Sequence, residues 1–445
     1  MGLSLCILGF LSCALMTRKS LGDGLGLLLF IGSIYGIARC RIFDGFIHFF
    51  FDASALGVYV GAYPRLIAAK TDTIQRLKRW VVALVVLPIF LILLSPFIDA
   101  QPVLIQLLAL RPILLFLPLL LIGALVVPEE VKRLAGWAIA VALGAAIVAL
   151  GEYFYGVEPF FPVNDASRII YISRDIGEER AIRIPATFGS AHAYGGTMVG
   201  LVPLLVLMIN AHRSWVKVLA MGALCAAVLG VFACAARLPF IGLLAVFTAV
   251  ALRGVRQTGV RAGAVVVIAL VALMVPGEER LQRFETLSNS DYVSRRVEGS
   301  FNAGLLDTIV AEPLGRGLGS AVGTSIPYFL MGQAKPQIGL ESEYARIGIE
   351  QGLLGLVLWL AFAGSLLLVN PTSLTLLGGV ADVGMFVFCV FTWVSGLIGA
   401  GFLAAIPGTM LLMIYMGLIA GAEKRTAATV LTHPSREGLV RQQGA

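Results

Sequence analysis

Runs of apolar residues recur along almost the whole chain, and short polar segments separate them. A bilayer core needs about 20 apolar residues of helix, so this pattern predicts membrane-spanning helices. The first run is short and the third contains Asp52, so twelve or thirteen spans are expected. The predicted spans are 3–16, 21–38, 45–62, 80–98, 103–127, 134–151, 187–210, 215–234, 237–252, 262–276, 347–369, 375–398 and 402–421.

One long polar segment, 277–346, interrupts this pattern. A charge is expensive at the centre of a bilayer, so charged residues collect on the water side or in functional cavities. Because the rest of the chain is so apolar, we expect the chemistry to lie in this segment. Its charged residues include Arg280, Arg283, Arg295, Arg296, Glu298, Asp307, Glu341 and Glu343.

Apolar residues also show a helical period inside the long polar segment. Val297, Phe301, Leu305 and Ile309 recur every four residues and stop before Pro313. This spacing predicts an amphipathic helix that ends at the proline and packs on the outer mouth of the bundle.

Lysine and arginine are concentrated in alternate polar segments. Alternation from span 80–98 onward puts all of the basic segments on one side, which the positive-inside rule identifies as the cytoplasm. The first three spans are less constrained, because Arg18–Lys19 and Arg39/Arg41 would lie on opposite sides. The basic segments are 64–79, 128–133, 211–217, 253–261 and the C-terminal tail.

The same parity places the segments 152–186 and 277–346 outside the cytoplasm. The fold class expected is an all-α polytopic membrane protein with about 12–13 transmembrane helices and a large extracytoplasmic loop domain. The predicted organisation is a helix bundle at 1–276, the outer loop at 277–346, further spans at 347–421 and a cytoplasmic tail at 422–445.

Composition agrees with this class. The chain is 58% hydrophobic and 13% charged with a mean hydropathy of +0.92, whereas soluble domains carry about 25% charged residues. The net charge of +7 follows topology and does not indicate nucleic-acid binding. The six cysteines lie in or beside apolar runs without metal-ligand spacing, which predicts small core residues.

Arginines at the outer ends of spans depart from the positive-inside trend. Arg183 precedes Ile184-Pro185, Arg237 lies in a tight turn between two spans, and Arg296 with Arg295 opens the loop helix. One interpretation is local salt bridges to carboxylates such as those of Glu178, Glu179 or Glu298. The other is a converging cluster that grips a lipid-linked pyrophosphate, since guanidinium binds phosphate through planar, bidentate hydrogen bonds.

Carboxylates close the outer loop. Glu341 and Glu343 precede the next span, and Glu350 lies inside it. Either of the first two could act as a general base on an acceptor hydroxyl, or both could neutralise the arginines and hold the loop in place. Glu350 would need a buried partner and is expected to be structural.

Further candidates lie within or beside the spans. Arg111 lies about two turns inside span 103–127, and Asp52 is its expected partner in either a structural ion pair or a substrate contact. His192 is a second candidate base or a hydrogen-bonded helix histidine. Arg316 belongs to a glycine-rich stretch that forms either a sharp turn or an anion contact. No metal or cofactor is expected, because no carboxylate or histidine cluster is evident.

Four short patterns, in this order and placement relative to the spans, resemble the O-antigen ligase/polymerase superfamily of inner-membrane glycosyltransferases. The resemblance covers about 80–421. The patterns are Arg183-Ile184-Pro185-Ala186-Thr187-Phe188-Gly189; Ala235-Ala236-Arg237; Arg296 followed by Glu312-Pro313-Leu314-Gly315-Arg316-Gly317-Leu318-Gly319; and Glu341-Ser342-Glu343-Tyr344 followed by Glu350-Gln351-Gly352-Leu353-Leu354-Gly355.

The resemblance implies a GT-C-like fold in the bacterial inner membrane, with the active site facing the periplasm. It implies inverting transfer of a glycan from undecaprenyl pyrophosphate, with Arg183, Arg237 and Arg296 on the phosphates and Glu341 as the base. Expected partners are the lipid-linked glycan, membrane lipids and other polysaccharide-assembly proteins, with no nucleic acid.

One departure from the family pattern concerns the acceptor. The ligases carry histidine where this chain has Glu341. The difference favours a polymerase of an exopolysaccharide or O-antigen, with a ligase that uses lipid A-core or another acceptor as the alternative. A transporter or flippase of lipid-linked sugars is the rival from another class, although no repeated halves are evident.

Overall fold

The computed structural model describes residues 1–42, 44–97, 100–172, 182–211, 215–253, 312–322, 326–339, 342–368 and 379–432, with the single positions 291, 294 and 377. These residues form helices and connections, with no β-strand among them. The predicted all-α class is confirmed at this level. The predicted span at 262–276 and the predicted helix at 297–309 lie outside the described residues.

Nine described helical segments are long and apolar enough to cross a membrane, which makes the chain a multi-pass membrane protein. The described helices are α1 Gly2–Lys19, α2 Leu21–Arg41, α3 Phe50–Ala68, α4 Asp72–Leu94, α5 Val103–Leu125, α6 Pro128–Tyr155, α7 Arg168–Ile172, α8 Ala191–Ala211, α9 Trp215–Ala233, α10 Arg237–Arg253, α11 Glu343–Leu367, α12 Val380–Ser395 and α13 Gly408–Thr432. The nine long apolar segments correspond to α1–α6, α8, α9 and α11, while α12 and the first part of α13 are shorter apolar helices.

The N-terminal region contains three helices of this kind. The first run, which looked short, forms an 18-residue helix. The third is not interrupted at Asp52, because that carboxylate is buried beside Arg111 of α5. A 3₁₀ turn, Gly45–Phe49, leads directly into α3.

Several helices begin away from the predicted boundaries. α4 begins at Asp72 and α6 at Pro128, because polar first turns continue the helix beyond its apolar part. The Thr71 hydroxyl caps α4 by accepting from the Ile74 N–H at 3.4 Å. α8 instead begins late, at Ala191, because 187–190 forms an irregular turn.

The bundle has two distinct ends. At one, which we call the basic end, Arg65 pairs with Glu130 at 2.6 Å and Arg133 pairs with Asp23 at 2.9 Å. These contacts bring the predicted cytoplasmic segments 64–79 and 128–133 together.

The opposite end, the loop end, collects the long connections. The amide of Asn164 donates to the Cys40 carbonyl at 2.9 Å, and the Ile37 N–H donates to the Thr187 carbonyl at 3.0 Å. The end of α2 and the described parts of 156–190 therefore share one end of the molecule, and Phe329 from the described part of 312–339 packs against His48 at the same end.

The core is built around α8 and α13. The Tyr415 hydroxyl donates to the Gly200 carbonyl at 2.6 Å, which joins these two helices deep in the bundle. Five of the six cysteines are buried, Cys225 is half-buried, and none is paired. This agrees with the prediction that they are small core residues.

Candidate functional site

The segment before α8 is wedged between α2 and α6 at the loop end. The Glu152 carboxylate accepts from the Ala186 N–H at 2.9 Å, and Ala186 takes the left-handed conformation with φ of 53°. A non-glycine residue in that region is strained and persists only where its surroundings hold it. The backbone of this segment is therefore fixed on both sides.

This fixed segment carries Arg183, which is buried with 7% exposure. Its NH1 lies 3.2 Å from His192 Nε2 at the start of α8. Guanidinium can only donate, so Nε2 must accept and the imidazole is neutral with its proton on Nδ1. The structure thus brings together two of the predicted site residues, and the ring nitrogen facing Arg183 already holds a hydrogen bond.

A second donor on Arg183 is available for binding. Its buried Nε has no hydrogen-bond partner among the described residues. An unsatisfied buried donor costs about 1–3 kcal/mol, and more for a charged group, so it needs an explanation. Binding an anion is the explanation that suits a guanidinium.

Arg237 lies at the same end as this pair. It opens α10 after the tight turn Cys234-Ala235-Ala236, in which Ala235 has φ of 46°. Gly195, one turn beyond His192, leaves room for Cys234 and Pro239 to pack against α8. The first turns of α8 and α10 are therefore neighbours, each with a predicted site arginine beside it.

Glu343 belongs to a buried ion triad on the first turns of α11. Arg346 pairs with one oxygen of Glu343 and, at 3.1 Å, with Glu350. The other Glu343 oxygen accepts from the Gly401 N–H. Both carboxylates and the guanidinium are buried. Because both oxygens of Glu343 are engaged, this geometry supports a structural role, and Arg346 is the buried partner that Glu350 was expected to need.

The glycine-rich stretch docks on the same part of α11. The Gly319 N–H donates to Glu350 Oε1 at 3.0 Å, and the Leu353 N–H donates to the Pro313 carbonyl at 3.0 Å. Gly352 breaks the helix with φ of 69°, and its Cα lies against the backbone of Gly315. The glycine-rich stretch of the third pattern and the Glu350–Gly355 stretch of the fourth pattern are therefore in direct contact.

The remaining predicted side chains form two further pairs. Arg111 Nε lies 3.3 Å from Asp52 Oδ2, as expected from the sequence, and the Arg111 side chain is 16% exposed. Arg316 pairs with Glu312 at 2.6 Å on the surface. Arg316 thus lies in a sharp turn, with its side chain directed to a local carboxylate.

Sequence reasoning missed Arg39 as a candidate site residue. Its guanidinium lies over the Tyr35 ring, 5.8 Å from the ring centre, and its NH2 donates to the Ala166 carbonyl at 3.3 Å. In the sequence Arg39 contributed only to topology. The one available signal was that Arg18–Lys19 and Arg39/Arg41 fall on opposite sides, so one of the two pairs departs from the positive-inside trend.

Two other groups position this region. Asp44 accepts from the Phe46 N–H at 3.0 Å and the Gly2 N–H at 2.7 Å, which fixes the 3₁₀ turn. These donors hold the pKa of Asp44 below its usual value. At Tyr171, burial raises the pKa of the phenol.

Three predicted site residues, Arg295, Arg296 and Glu341, lie outside the described residues. Within the described part of the chain no three histidine, cysteine or carboxylate side chains group as metal ligands do. No protein-family model matches the sequence, and no curated protein is significantly similar to it.

Proposed function

We propose that this protein is a glycosyltransferase that polymerises an exopolysaccharide or O-antigen. It would transfer glycan from undecaprenyl pyrophosphate to a sugar hydroxyl of another lipid-linked repeat unit. The observation that carries the proposal is the buried Arg183, which is bonded to His192 and retains an available Nε donor at the loop end. A fixed guanidinium beside lipid suits a lipid-linked pyrophosphate.

The chemistry assigns distinct tasks to the arginines and to a carboxylate. Arg183, Arg237 and Arg296 would stabilise the negative charge that develops on the departing pyrophosphate. Glu341 would take the proton of the attacking hydroxyl, and the sugar carbon would invert as the oxygen attacks from the opposite face. Glu343 is less suited to the proton transfer, since Arg346 and the Gly401 N–H engage both of its oxygens.

Contact between the glycine-rich stretch and α11, which both belong to the patterns that resemble the family, supports the same proposal. The Gly319–Glu350 and Leu353–Pro313 hydrogen bonds fix where the outer loop returns to the bundle. The loop end would then face the periplasm of a bacterial inner membrane, with the basic end in the cytoplasm.

Two alternatives differ in acceptor or in class. A ligase would use the same pyrophosphate chemistry with lipid A-core or another acceptor. A transporter or flippase of lipid-linked sugars would use ionisable residues within the membrane. The buried Asp52–Arg111 pair is the observation that favours this alternative.

Polymer synthesis in membranes supplied with lipid-linked repeat units tests the proposal. We expect Arg183→Gln, Arg237→Gln, Arg296→Ala and Glu341→Ala each to abolish or severely reduce polymer, because each removes a phosphate ligand or the base. Arg133→Gln is the matched control: it removes one arginine at the basic end, and its polymer level should match that of the unsubstituted protein.

Membrane insertion and expression are checked for every variant. Full polymer from the Arg183 and Arg237 variants would contradict the enzyme assignment. If instead only Arg111 or Asp52 substitutions stop export of lipid-linked sugars, the transporter is favoured. Polymer that survives Glu341→Ala but not His192→Ala would reassign the base within the same reaction.

A further inference from the structure

A second group of cationic donors lies on α2 and α5. Arg39 projects from the last turn of α2, with its guanidinium stacked on the Tyr35 ring. Its NH2 is bonded to a backbone carbonyl, but its buried Nε has no hydrogen-bond partner among the described residues. A cation–π contact uses the positive charge and not the N–H groups, so it leaves the Nε donor available.

Arg111 repeats this arrangement from α5. Its guanidinium lies 5.8 Å from the centre of the Phe49 ring. The contact with Asp52 is a 3.3 Å ion pair without hydrogen-bond geometry, and buried NH1 likewise has no hydrogen-bond partner in the described residues. Asp52 therefore offsets one charge of the group without using the donors.

The two arginines act on the same small region. Arg39 lies over the Tyr35 ring, and Arg111 lies over the ring of Phe49, the residue that follows His48. The Tyr35 hydroxyl donates to the His48 carbonyl at 3.0 Å, which ties the end of α2 to the 3₁₀ turn. With Arg39 and Arg111 positive and Asp52 negative, the group has a net charge of +1.

The surroundings suit a ligand that arrives from the membrane. Phe46 and Phe49 of the 3₁₀ turn are 54% and 37% exposed, so apolar rings border the group on the outside of the bundle. Phe329 of the outer loop packs edge-on against His48, with ring centres 5.3 Å apart. A phosphate could therefore meet the arginines while an attached isoprenoid chain follows the phenylalanines into lipid.

We propose that Arg39 and Arg111 form a second phosphate site, which holds the pyrophosphate of the lipid-linked acceptor. The inference rests on the proposed polymerase function, in which both substrates are lipid-linked and two pyrophosphates enter the loop end together. The Arg183 group would hold the donor, and the Arg39–Arg111 group the acceptor.

Binding of geranyl pyrophosphate, a short soluble isoprenoid pyrophosphate, tests this inference by calorimetry on the full chain in phosphatidylcholine nanodiscs. We expect two binding events, of which Arg39→Gln weakens one by about tenfold or more, as loss of a charged hydrogen bond predicts. Arg41→Gln is the matched control, because it removes an exposed arginine two residues further along α2 and should retain both events.

Substituting Arg111 could unfold the protein by leaving Asp52 unpaired. Arg111→Lys keeps the positive charge but loses the planar fork, and should weaken the same event. The Arg183→Gln variant should lose only the other one. Elution as a single species in size-exclusion chromatography checks folding throughout.

Three results would overturn the inference: a single event lost only with Arg183; two events that survive Arg39→Gln; or loss of the Arg39-dependent event when phosphatidylglycerol is added to the nanodiscs. The last would identify an ordinary phospholipid site. The proposed function fails separately if the Arg183→Gln and Arg237→Gln variants keep full polymer synthesis while the Arg39-dependent binding event persists.

Discussion

Buried arginines at the loop end are of two kinds, which differ in whether their N–H groups are all paired. Arg346 sits between two buried carboxylates and holds both. Arg39, Arg111 and Arg183 each keep a buried N–H with no hydrogen-bond partner among the described residues. A saturated ion triad stabilises a structure, whereas available donors on fixed guanidinium groups are suited to binding an anion.

Removing the central cation of the triad should be severe. Arg346→Met leaves Glu343 and Glu350 buried without a countercharge, and breaking a buried pair in this way costs about 3–5 kcal/mol. We expect a large fall in the thermal unfolding temperature of the purified protein. Tryptophan fluorescence during heating measures this temperature.

Arg316→Met is the control for that comparison. Arg316 pairs with Glu312 at the surface, where an ion pair contributes about 0–1 kcal/mol. Equal falls in unfolding temperature for Arg346→Met and Arg316→Met would show that the buried triad stabilises the protein no more than a surface ion pair does.

At the scale of elements, the outer loop and α11 form one joint. The helix is broken at Gly352, and the glycine-rich stretch fills the break through backbone hydrogen bonds. The segment 326–339 docks separately on the connection between α4 and α5, where buried Gln101 exchanges two hydrogen bonds with the Lys335 backbone.

The joint has no room for a side chain at Gly352. A Cβ there would lie 2.2 Å from the Pro313 carbonyl oxygen, on a backbone with φ of 69°. Gly352→Ala should therefore destabilise the protein by about 1–3 kcal/mol or more. Gly136→Ala, in open space on α6, should change the unfolding temperature little. Equal changes in the two variants would contradict tight packing of the outer loop against Gly352.

Docking of 326–339 can be tested without unfolding the bundle. Gln101→Ala removes both hydrogen bonds to Lys335 and should raise amide hydrogen exchange at Lys335 and its neighbours, while the unfolding temperature changes little. Gln75→Ala, at the exposed start of α4, should leave that exchange unchanged. Protection that persists in Gln101→Ala would mean that other contacts hold the segment.

Hydropathy predicted the helices because lipid imposes a simple requirement on each span, but it placed their ends poorly. α11 begins at Glu343 and not at 347. Had that start been evident, the spacing of Glu343, Arg346 and Glu350 would have predicted the triad, since residues three and four apart share a helix face. The Asp52–Arg111 pair was predicted because buried charges need partners. Arg39 was missed because its setting depends on packing between distant segments.

The whole molecule separates its polar groups between two ends. Arg65, Glu130 and Arg133 lie at one, and the arginines with available donors lie at the other. This division matches the charge bias expected of a membrane protein with basic cytoplasmic segments.

Labelling of single cysteines checks this division. In a chain whose native cysteines are replaced, Val163→Cys at the loop end should react with a membrane-impermeant maleimide in intact cells. Lys132→Cys, exposed at the basic end, should react only after permeabilisation. Identical labelling of both positions would contradict the predicted orientation.

The described part of the outer loop is anchored to the bundle at two points. Gly319 is bound to Glu350, and the Glu343 N–H is bound to the Gly396 and Gly399 carbonyls. Loop-closure entropy rises only slowly with length, so the chain between these anchors can be lengthened outside the docked segment 326–339 at little thermodynamic cost. A single insertion between Glu343 and Glu350, by contrast, rotates one carboxylate by about 100° about the helix axis and breaks the triad. Length and sequence can therefore vary between the anchors, whereas the spacing from Glu343 to Glu350 cannot.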